Sequence, residues 1–155
     1  MRGRQSVHTQ VVDVDPGDPQ MVADLFPVMR QLRPRLDADG FAAMYAEGYP
    51  QCLRYAACFD AEGRCAGVAG WRLLATSRGR ILFVDDLVTT AERRSQGVGR
   101  ELLAWLEERG RRAGCVRLEL DSGVQNAAAH GFYFRECMRI AAFHFAKELM
   151  RSEEA

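Results

Sequence analysis

Apolar residues recur along the chain with two different periods, and the change between them separates strands from helices. Polar and apolar residues alternate over positions 7–14, which predicts a first strand. Positions 21–32 carry apolar residues at helical spacing, although Pro27 must kink or shift that helix and Pro34 should end it. A second, short helix is predicted over about residues 39–47.

Three consecutive strands are predicted in the middle of the chain, over residues 53–59, 64–74 and 81–88. The turn at residues 60–63 joins the first two strands into a hairpin. Because the third strand follows after another short turn, the three together predict an antiparallel meander.

A helix and a strand then complete a βαβ unit. The helix carries its apolar residues on one stripe, and Gly114 is placed to end it. Residues 116–120 alternate cleanly and predict the next strand. A helix that begins near Asn126 and a last strand over about residues 138–149 complete the prediction.

This order of elements predicts a mixed α/β fold, and 155 residues suffice to bury one core, so a single domain over residues 1–155 is expected. The 21 basic and 21 acidic side chains cancel, which argues against a nucleic-acid-binding protein. A signal peptide is not expected, because no apolar run follows the basic residues at the amino terminus, and a membrane span is not expected, because no run of 18 apolar residues occurs.

Cysteines and histidines indicate no metal site and no disulfide framework. The five cysteines include no Cys-x-x-Cys pair, and the three histidines are scattered. Cys58 and Cys65 flank the hairpin turn, where free buried thiols are favoured over a disulfide. This use of cysteine indicates a cytoplasmic protein.

A basic loop with two glycines runs directly into the amphipathic helix. It reads Arg94-Ser95-Gln96-Gly97-Val98-Gly99. The first N–H groups of a helix lack intrahelical partners and lie at the positive end of its dipole, so they attract phosphate. Two glycines before a helix also occur in ordinary turns, and the loop alone leaves both interpretations open.

The spacing excludes two common phosphate loops. The dinucleotide-binding pattern G-x-G-x-x-G needs a glycine at position 102, which is Leu102. A Walker loop needs a lysine, which this loop does not contain. Nicotinamide-dinucleotide chemistry and phosphoryl transfer are therefore not expected.

The loop resembles the acetyl-CoA loop of the GNAT superfamily of N-acetyltransferases, Arg/Gln-x-x-Gly-x-Gly/Ala. A second match lies downstream, where Asn126 is followed by small residues and then by Phe132-Tyr133. The resemblance covers roughly residues 80–145. It implies the GNAT-like acyl-CoA N-acyltransferase fold, classed as α/β (α+β), with a central mixed, mostly antiparallel sheet flanked by helices.

The same resemblance implies how acetyl-CoA is bound. The loop backbone and Arg94 would hold the pyrophosphate, while main-chain N–H groups near Leu87 and Val88 would contact the acetyl oxygen and the pantetheine arm. Arg93 would reach another phosphate or be solvated, and Asn126 would touch the cofactor or only cap its helix. The implied cofactor-binding residues are Leu87, Val88, Arg93, Arg94, Ser95, Gln96, Gly97, Val98, Gly99, Arg100, Asn126 and Tyr133.

Two residues are candidates for catalysis. Tyr133 matches the family's tyrosine, and a phenol with a pKa of about 10 can protonate a departing thiolate. Asp86 is the candidate base for the amine, although capping a turn or pairing with an arginine is an equally open interpretation. Because side chains alternate along a strand, Asp85 and Asp86 are predicted to face opposite sides of the sheet.

The resemblance implies an N-acetyltransferase that moves the acetyl group of acetyl-CoA directly to a primary amine of a small molecule or peptide, without a metal. The alternatives are a non-catalytic acyl-CoA-binding module and a transferase of a larger acyl group. Cys137-Met138, where the family usually has a Gly-aromatic pair, and Gly131, where a larger residue is common, mildly support the first alternative. A homodimer is possible, since the last strand could pair with a second copy.

Overall fold

The computed structural model describes residues 9–150, which divide into two compact units, one up to Leu120 and one from Asp121 onward. The first unit contains a five-stranded sheet in which the strands lie in chain order. Neighbouring strands are antiparallel except for the last two, which are parallel. The strands are β1 (Gln10–Val14), β2 (Arg54–Phe59), β3 (Cys65–Thr76), β4 (Gly79–Thr89) and β5 (Arg117–Leu120).

This mixed, mostly antiparallel sheet with helices beside it confirms the predicted fold class. Residues 7 and 8 of the predicted first strand lie outside the described residues. The single domain over residues 1–155 stays a prediction.

Two helices cover one face of the sheet: α1 (Phe26–Leu32), which continues from a π-helical turn (Met21–Leu25), and α2 (Ala38–Gly48). Pro27 lies near the start of α1, where its missing N–H costs little, so the helix shifts around it as predicted. The helix ends before Pro34, which is also confirmed. Their buried side chains form one core with β2 and β3: Met21, Leu25, Val28, Met29, Phe41, Tyr45, Tyr55 and Val68.

The helix α3 (Val98–Arg112) packs on the opposite face of the sheet. Its predicted apolar stripe is buried, with exposed fractions of 0–3% for Val98, Leu102, Leu103 and Leu106. Gly114, with φ of 73°, follows the helix end as predicted. Because α3 connects β4 to β5, which is parallel to it, the predicted βαβ unit is confirmed.

Residues 121–150 of the second unit contain one helix, α4 (Ala127–Arg135). Asn126 caps it, since its side-chain oxygen accepts a 3.3 Å hydrogen bond from the N–H of Ala129. The last strand predicted over residues 138–149 is wrong for a single copy, because residues 138–148 form neither helix nor strand. A strand needs a neighbouring strand for its backbone, and the described residues of this unit contain none.

The cysteines are free, as expected, including Cys58 and Cys65 on the hairpin strands. Cys58 pairs across the hairpin with Gly67, whereas Cys65 pairs with Phe59, so the two thiols do not stand opposite each other. Among residues 9–150, no helix is both long enough and apolar enough to cross a membrane.

Candidate active site

The loop between β4 and α3 leaves the start of α3 without a side-chain cap. A 3-10 turn (Ala91–Arg93) leads into the loop, where Ser95 and Gly97 take positive φ angles of 64° and 87°. Gly97 is the N-cap and has no side chain to satisfy the helix. The N–H of Glu101 donates to the carbonyl of Gly97 at 3.0 Å, and the helical N–H groups before it have no intrahelical acceptor.

Space and charge at this loop fit a pyrophosphate. A Cβ added to Gly97 would have no heavy atom within 4 Å, so the loop backbone is open to a ligand. The side chain of Arg94 is exposed and makes no hydrogen bond or ion pair within residues 9–150. Free N–H donors at a helix start and an uncommitted guanidinium are the groups that an anion requires.

Arg93 is held by the protein rather than left in solvent. Its Nη2 donates to Oδ2 of Asp60 at 2.6 Å, and the side chain of Asp60 is only 3% exposed. Its Nη1 donates to the side-chain oxygen of Gln96 at 3.3 Å, and Gln96 also donates to the carbonyl of Glu92 at 3.2 Å. Arg93 and Gln96 therefore fix the shape of the loop through their side chains.

A β-bulge in β4 overturns the prediction that Asp85 and Asp86 face opposite sides of the sheet. Gly70 of β3 pairs with Asp86, and the next residue, Trp71, pairs with Val84, so Asp85 is an extra residue without a partner. One extra residue reverses the alternation along the strand. Both carboxylates consequently lie on the face that α1 and α2 cover.

Asp86 accepts hydrogen bonds on both carboxylate oxygens. Arg33 donates to Oδ1 from Nε at 3.2 Å and from Nη2 at 2.8 Å, and the hydroxyl of Tyr55 donates to Oδ2 at 2.9 Å. Burial, and then the carboxylate of Asp86, raise the pKa of Tyr55, so the phenol stays protonated. Oδ2 keeps a second lone pair, which leaves Asp86 one site for a further donor.

Asp85 pairs with a different arginine on the same face. Nε of Arg72 donates to its two oxygens at 3.1 and 3.0 Å. Burial raises the pKa of Asp85, and the guanidinium of Arg72 acts in the opposite direction. The bulge thus places two carboxylate–guanidinium pairs next to each other on adjacent positions of β4.

The edge of β4 is open beyond the bulge. Its parallel ladder with β5 ends at the pair Val84–Leu120, whereas β4 continues to Thr89 with partners on β3. Leu87 and Val88 lie in this part of the strand and pair with Ala69 and Val68. An extended ligand could therefore hydrogen-bond along the side of β4 that β5 does not cover.

Comparison with known proteins decides the family. Residues 21–137 match the model of the acetyltransferase (GNAT) family, which is more than half of the chain. The chain belongs to the GNAT acetyltransferase family. It is therefore an acyltransferase, and the loop at the start of α3 has the donors that the co-substrate of the family, acetyl-CoA, requires.

Named relatives agree with this assignment. An uncharacterized N-acetyltransferase, YhdJ, of Bacillus subtilis (strain 168) is 32% identical over 116 residues, which cover 72% of this chain and 79% of the relative. An aminoalkylphosphonate N-acetyltransferase of Salmonella typhimurium is 39% identical over 66 residues. That second alignment spans 43% of each of the two chains, less than half of the relative's length.

Solved structures share the fold at low sequence identity. The aminoglycoside N-acetyltransferase AAC(6')-Iy, in complex with CoA, superimposes with a TM-score of 0.78 at 15% identity, and the match covers 96% of this chain and 99% of that one. A putative acetyltransferase from Agrobacterium tumefaciens gives 0.75 at 21% identity, over 90% of this chain and 99% of that one. The GNAT fold predicted from the sequence is thereby confirmed.

The remaining candidate residues of this GNAT chain lie in the second unit. Tyr133 is on α4, where its ring packs on that of Phe132 with centroids 5.4 Å apart, and burial raises the pKa of its hydroxyl. Asn126 caps the same helix. Cys137 has φ of 62°, a conformation that favours glycine, so the backbone keeps the bend although the family's usual glycine is absent.

Several contacts that shape the site were not predicted. Asp60, Arg33 and Tyr55 are separated in sequence from the residues that they hold. The side-chain oxygen of Gln31 on α1 accepts a 3.0 Å hydrogen bond from the N–H of Ala91 and ties the loop to α1. Tyr45 of α2 belongs to the core, and its hydroxyl donates to the carbonyl of Val14 at 2.6 Å.

Proposed function

We propose that this GNAT enzyme transfers the acetyl group of acetyl-CoA directly to the primary amine of a small zwitterionic molecule. The observation that carries the acceptor class is the bulge in β4. It sets the pairs Asp85–Arg72 and Asp86–Arg33 side by side on one face of the sheet. Such a surface offers carboxylates to an ammonium group and guanidinium groups to an anion within a short span.

An aminoalkylphosphonate has these two charged groups. The Salmonella typhimurium relative is an aminoalkylphosphonate N-acetyltransferase, which supports this acceptor class for the present chain. Arg33 has a side chain that is 56% exposed, and only its Nε and Nη2 donate to Asp86. Its remaining donors suit a phosphonate oxygen. An aminoglycoside, the acceptor named for one solved neighbour, has several ammonium groups and no anion. It would therefore use the carboxylates of this surface but not the guanidinium groups.

In the proposed reaction, separate groups of residues bind acetyl-CoA, stabilise the transition state and hold the loop in shape. Arg94 and the N–H groups at the start of α3, from Gly97 to Arg100, hold the pyrophosphate. The open edge of β4 aligns the pantetheine arm, and main-chain N–H groups near Leu87 and Val88 stabilise the negative charge that develops on the acetyl oxygen. Arg93, Ser95 and Gln96 keep the loop in the required conformation.

The amine must lose a proton before or during its attack on the thioester carbonyl, because an ammonium group has no lone pair. Asp86 is the proposed acceptor of that proton, through the free lone pair on Oδ2. The hydroxyl of Tyr133 is the proposed donor to the departing thiolate. Its raised pKa keeps it protonated at neutral pH, so the proton is available when the thiolate leaves.

A reducing compartment suits this chain, and we infer a cytoplasmic enzyme. Burial raises the pKa of Cys58 to about 11 and that of Cys65 to about 12, so both remain thiols at neutral pH. The cysteines are unpaired.

Two measurements test the proposal. Titration calorimetry should show acetyl-CoA binding that is lost in Gly97→Trp, where an indole would fill the open loop and strain a left-handed backbone. Assays of CoA release should then favour 2-aminoethylphosphonate over propylamine, which has the amine without the anion. Absence of acetyl-CoA binding would overturn the acetyltransfer proposal, whereas equal rates with both amines would overturn the zwitterionic acceptor.

A further inference from the structure

The 3-10 turn that precedes the loop obtains an acceptor for its first N–H from another element. The turn begins at Ala91, and Thr90 before it makes no side-chain capping hydrogen bond. The N–H of Ala91 donates instead to the side-chain oxygen of Gln31 at 3.0 Å, across 60 positions of sequence. The first N–H groups of a helical turn have no acceptor within the turn. Gln31 therefore acts as the capping side chain of this turn, although it belongs to α1.

The helix α1 supports the last part of β4 at three places. Among the described strands, this part of β4 has a partner on one edge only, because its ladder with β5 ends earlier. Arg33, directly after α1, donates to Asp86 at 2.8 Å, and buried side chains of α1 share a core with Val88. Gln31 holds Ala91, two residues after the strand ends. The end of α1 therefore contacts the chain on both sides of the proposed oxyanion donors.

Contacts from two directions fix the path from β4 into the loop. The hairpin of β2 and β3 supplies the carbonyl of Ala66, which accepts the N–H of Thr90 at 2.9 Å, and Asp60, which accepts from Arg93 at 2.6 Å. The contact of Gln31 comes from α1. Without it, these hairpin contacts would still attach the turn to the sheet, but the turn would lose its attachment to α1. The N–H groups that follow would then be held less firmly for a pyrophosphate.

We propose that Gln31 is a positioning residue of the acetyl-CoA site, an inference that rests on the proposed acetyl transfer. Gln31 contacts neither substrate in that reaction. Its side-chain oxygen holds Ala91, and the turn sets the conformation of the loop whose N–H groups bind the pyrophosphate. Gln31 is exposed, whereas buried side chains of α1 hold the helix in the core. Loss of this hydrogen bond should therefore change the loop and leave the fold intact.

Titration calorimetry and steady-state kinetics with the full-length protein test this role. Gln31→Leu removes the acceptor atom and keeps a good helix-forming residue. The Kd and the KM for acetyl-CoA should rise about three- to tenfold, the scale of one neutral hydrogen bond. The kcat, the KM for 2-aminoethylphosphonate and the melting temperature should stay as in the native protein. A displaced α1 would instead move Arg33 as well and raise the KM of both substrates.

Gln51→Leu is the matched control. Gln51 is also exposed, and its Nε2 makes a hydrogen bond of the same kind, to the carbonyl of Glu47 at 3.4 Å. This contact involves neither β4 nor the loop. The variant should therefore bind acetyl-CoA as the native protein does.

Ala91→Pro removes the donor of the same hydrogen bond without changing a charge. Ala91 is the first residue of its turn, a position that proline occupies readily. Thr90 has φ of −57° and ψ of 146°, a conformation that suits the residue before a proline. In this background Gln31→Leu should not change the Kd for acetyl-CoA any further, because the hydrogen bond is already absent.

The outcomes separate this inference from the proposed function. Absence of acetyl-CoA binding by the native protein would overturn both. An unchanged Kd in Gln31→Leu, an equal loss of affinity in Gln51→Leu, a rise in the KM of both substrates, or a full effect of Gln31→Leu in the Ala91→Pro background would overturn the role of Gln31 alone.

Discussion

The guanidinium of Arg93 donates a 2.6 Å hydrogen bond to Asp60, a buried carboxylate in the turn between β2 and β3. The other oxygen of Asp60 accepts the N–H groups of Glu62 and Arg64 at 3.0 and 2.9 Å, so the carboxylate is fixed by its own turn. These backbone donors and the two guanidinium groups lower the pKa of Asp60. A rigid anion thus anchors the residue directly before Arg94.

Replacing this anion tests whether it positions the loop. Asp60→Asn should raise the KM for acetyl-CoA roughly five- to tenfold, on the scale of one charge-assisted hydrogen bond, and should change kcat little. Steady-state kinetics with acetyl-CoA varied would measure this. Arg93→Gln should give a similar increase, and the double variant should be no worse than either single one. Additive effects would show that Arg93 contacts the co-substrate independently of Asp60.

Close packing between β3 and α3 gives a second prediction. A Cβ at Gly67 would lie 2.7 Å from Cγ1 of Val98, 2.9 Å from Cδ1 of Leu102 and 3.1 Å from the carbonyl oxygen of Val88. Gly67→Ala should therefore push the start of α3 away from the sheet and destabilise the protein by about 1–3 kcal/mol. Urea unfolding measures the loss.

The control for this variant is Gly131→Ala on α4. A Cβ there would meet only the end of the Arg135 side chain, at 3.4 Å, and alanine favours a helix by about 0.5–1 kcal/mol over glycine. Gly131→Ala should not destabilise the protein. If Gly67→Ala were equally harmless, α3 would not depend on close contact with β3.

Local patterns predicted most of the fold because each depends on residues near one another in sequence. The stripe from Val98 to Leu106 and the ends of helices at Pro34 and Gly114 are signals of this kind. The bulge at Asp85 has no comparable signal, because the sequence of a strand does not show which of its residues will lack a partner on the neighbouring strand. Strand pairing decides it, and pairing involves residues of β3 that lie about 15 positions earlier.

The site was predictable only where a motif is contiguous. The loop from Arg94 to Gly99 was found because its donors adjoin one another in sequence. The contacts of Arg93 with Asp60 and of Asp86 with Tyr55 join residues 33 and 31 positions apart, and no spacing rule connects them. The alternation of residues after Met138 predicted a strand, but alternation within a segment does not identify the strand with which that segment pairs.

The two carboxylates on β4 make separable predictions. If Asp86 takes the amine proton, Asp86→Asn should lower kcat/KM by about 10²- to 10⁴-fold. Asp85→Asn should change kcat/KM far less, although it frees the guanidinium of Arg72. The reverse result, with the large loss in Asp85→Asn alone, would assign the base to Asp85, whose pKa is raised by burial.

Alkaline pH should destabilise the protein through a buried phenol. The hydroxyl of Tyr45 donates to the carbonyl of Val14 and accepts the N–H of Tyr55 at 3.2 Å, and burial raises its pKa to about 12. Above about pH 10 the unfolded chain loses this proton first, so stability falls as pH rises from about 10 to 12. At about 1.4 kcal/mol per pKa unit, the loss amounts to about 2–3 kcal/mol.

Tyr45→Phe isolates that contribution. At pH 8 the variant should be less stable by about 1–3 kcal/mol, because the carbonyl of Val14 and the N–H of Tyr55 lose a partner. Above pH 10 the difference in the free energy of unfolding between the native protein and the variant should shrink, since only the native protein carries the titrating phenol of Tyr45. Urea unfolding from pH 8 to 11 would show this, and a pH-independent difference would contradict the assignment.

The proton donor is tested by Tyr133→Phe. Removing the hydroxyl should lower kcat by about 10²- to 10⁴-fold, because the thiolate would have to leave without a positioned acid. The Kd for acetyl-CoA should change little, since the ring remains. Tyr49→Phe removes a hydroxyl elsewhere, from a ring that stacks under the guanidinium of Arg54 at 3.7 Å, and should keep full activity. A Tyr133→Phe variant that keeps kcat but loses acetyl-CoA affinity would make the hydroxyl a binding group, and the thiolate would then take its proton from water.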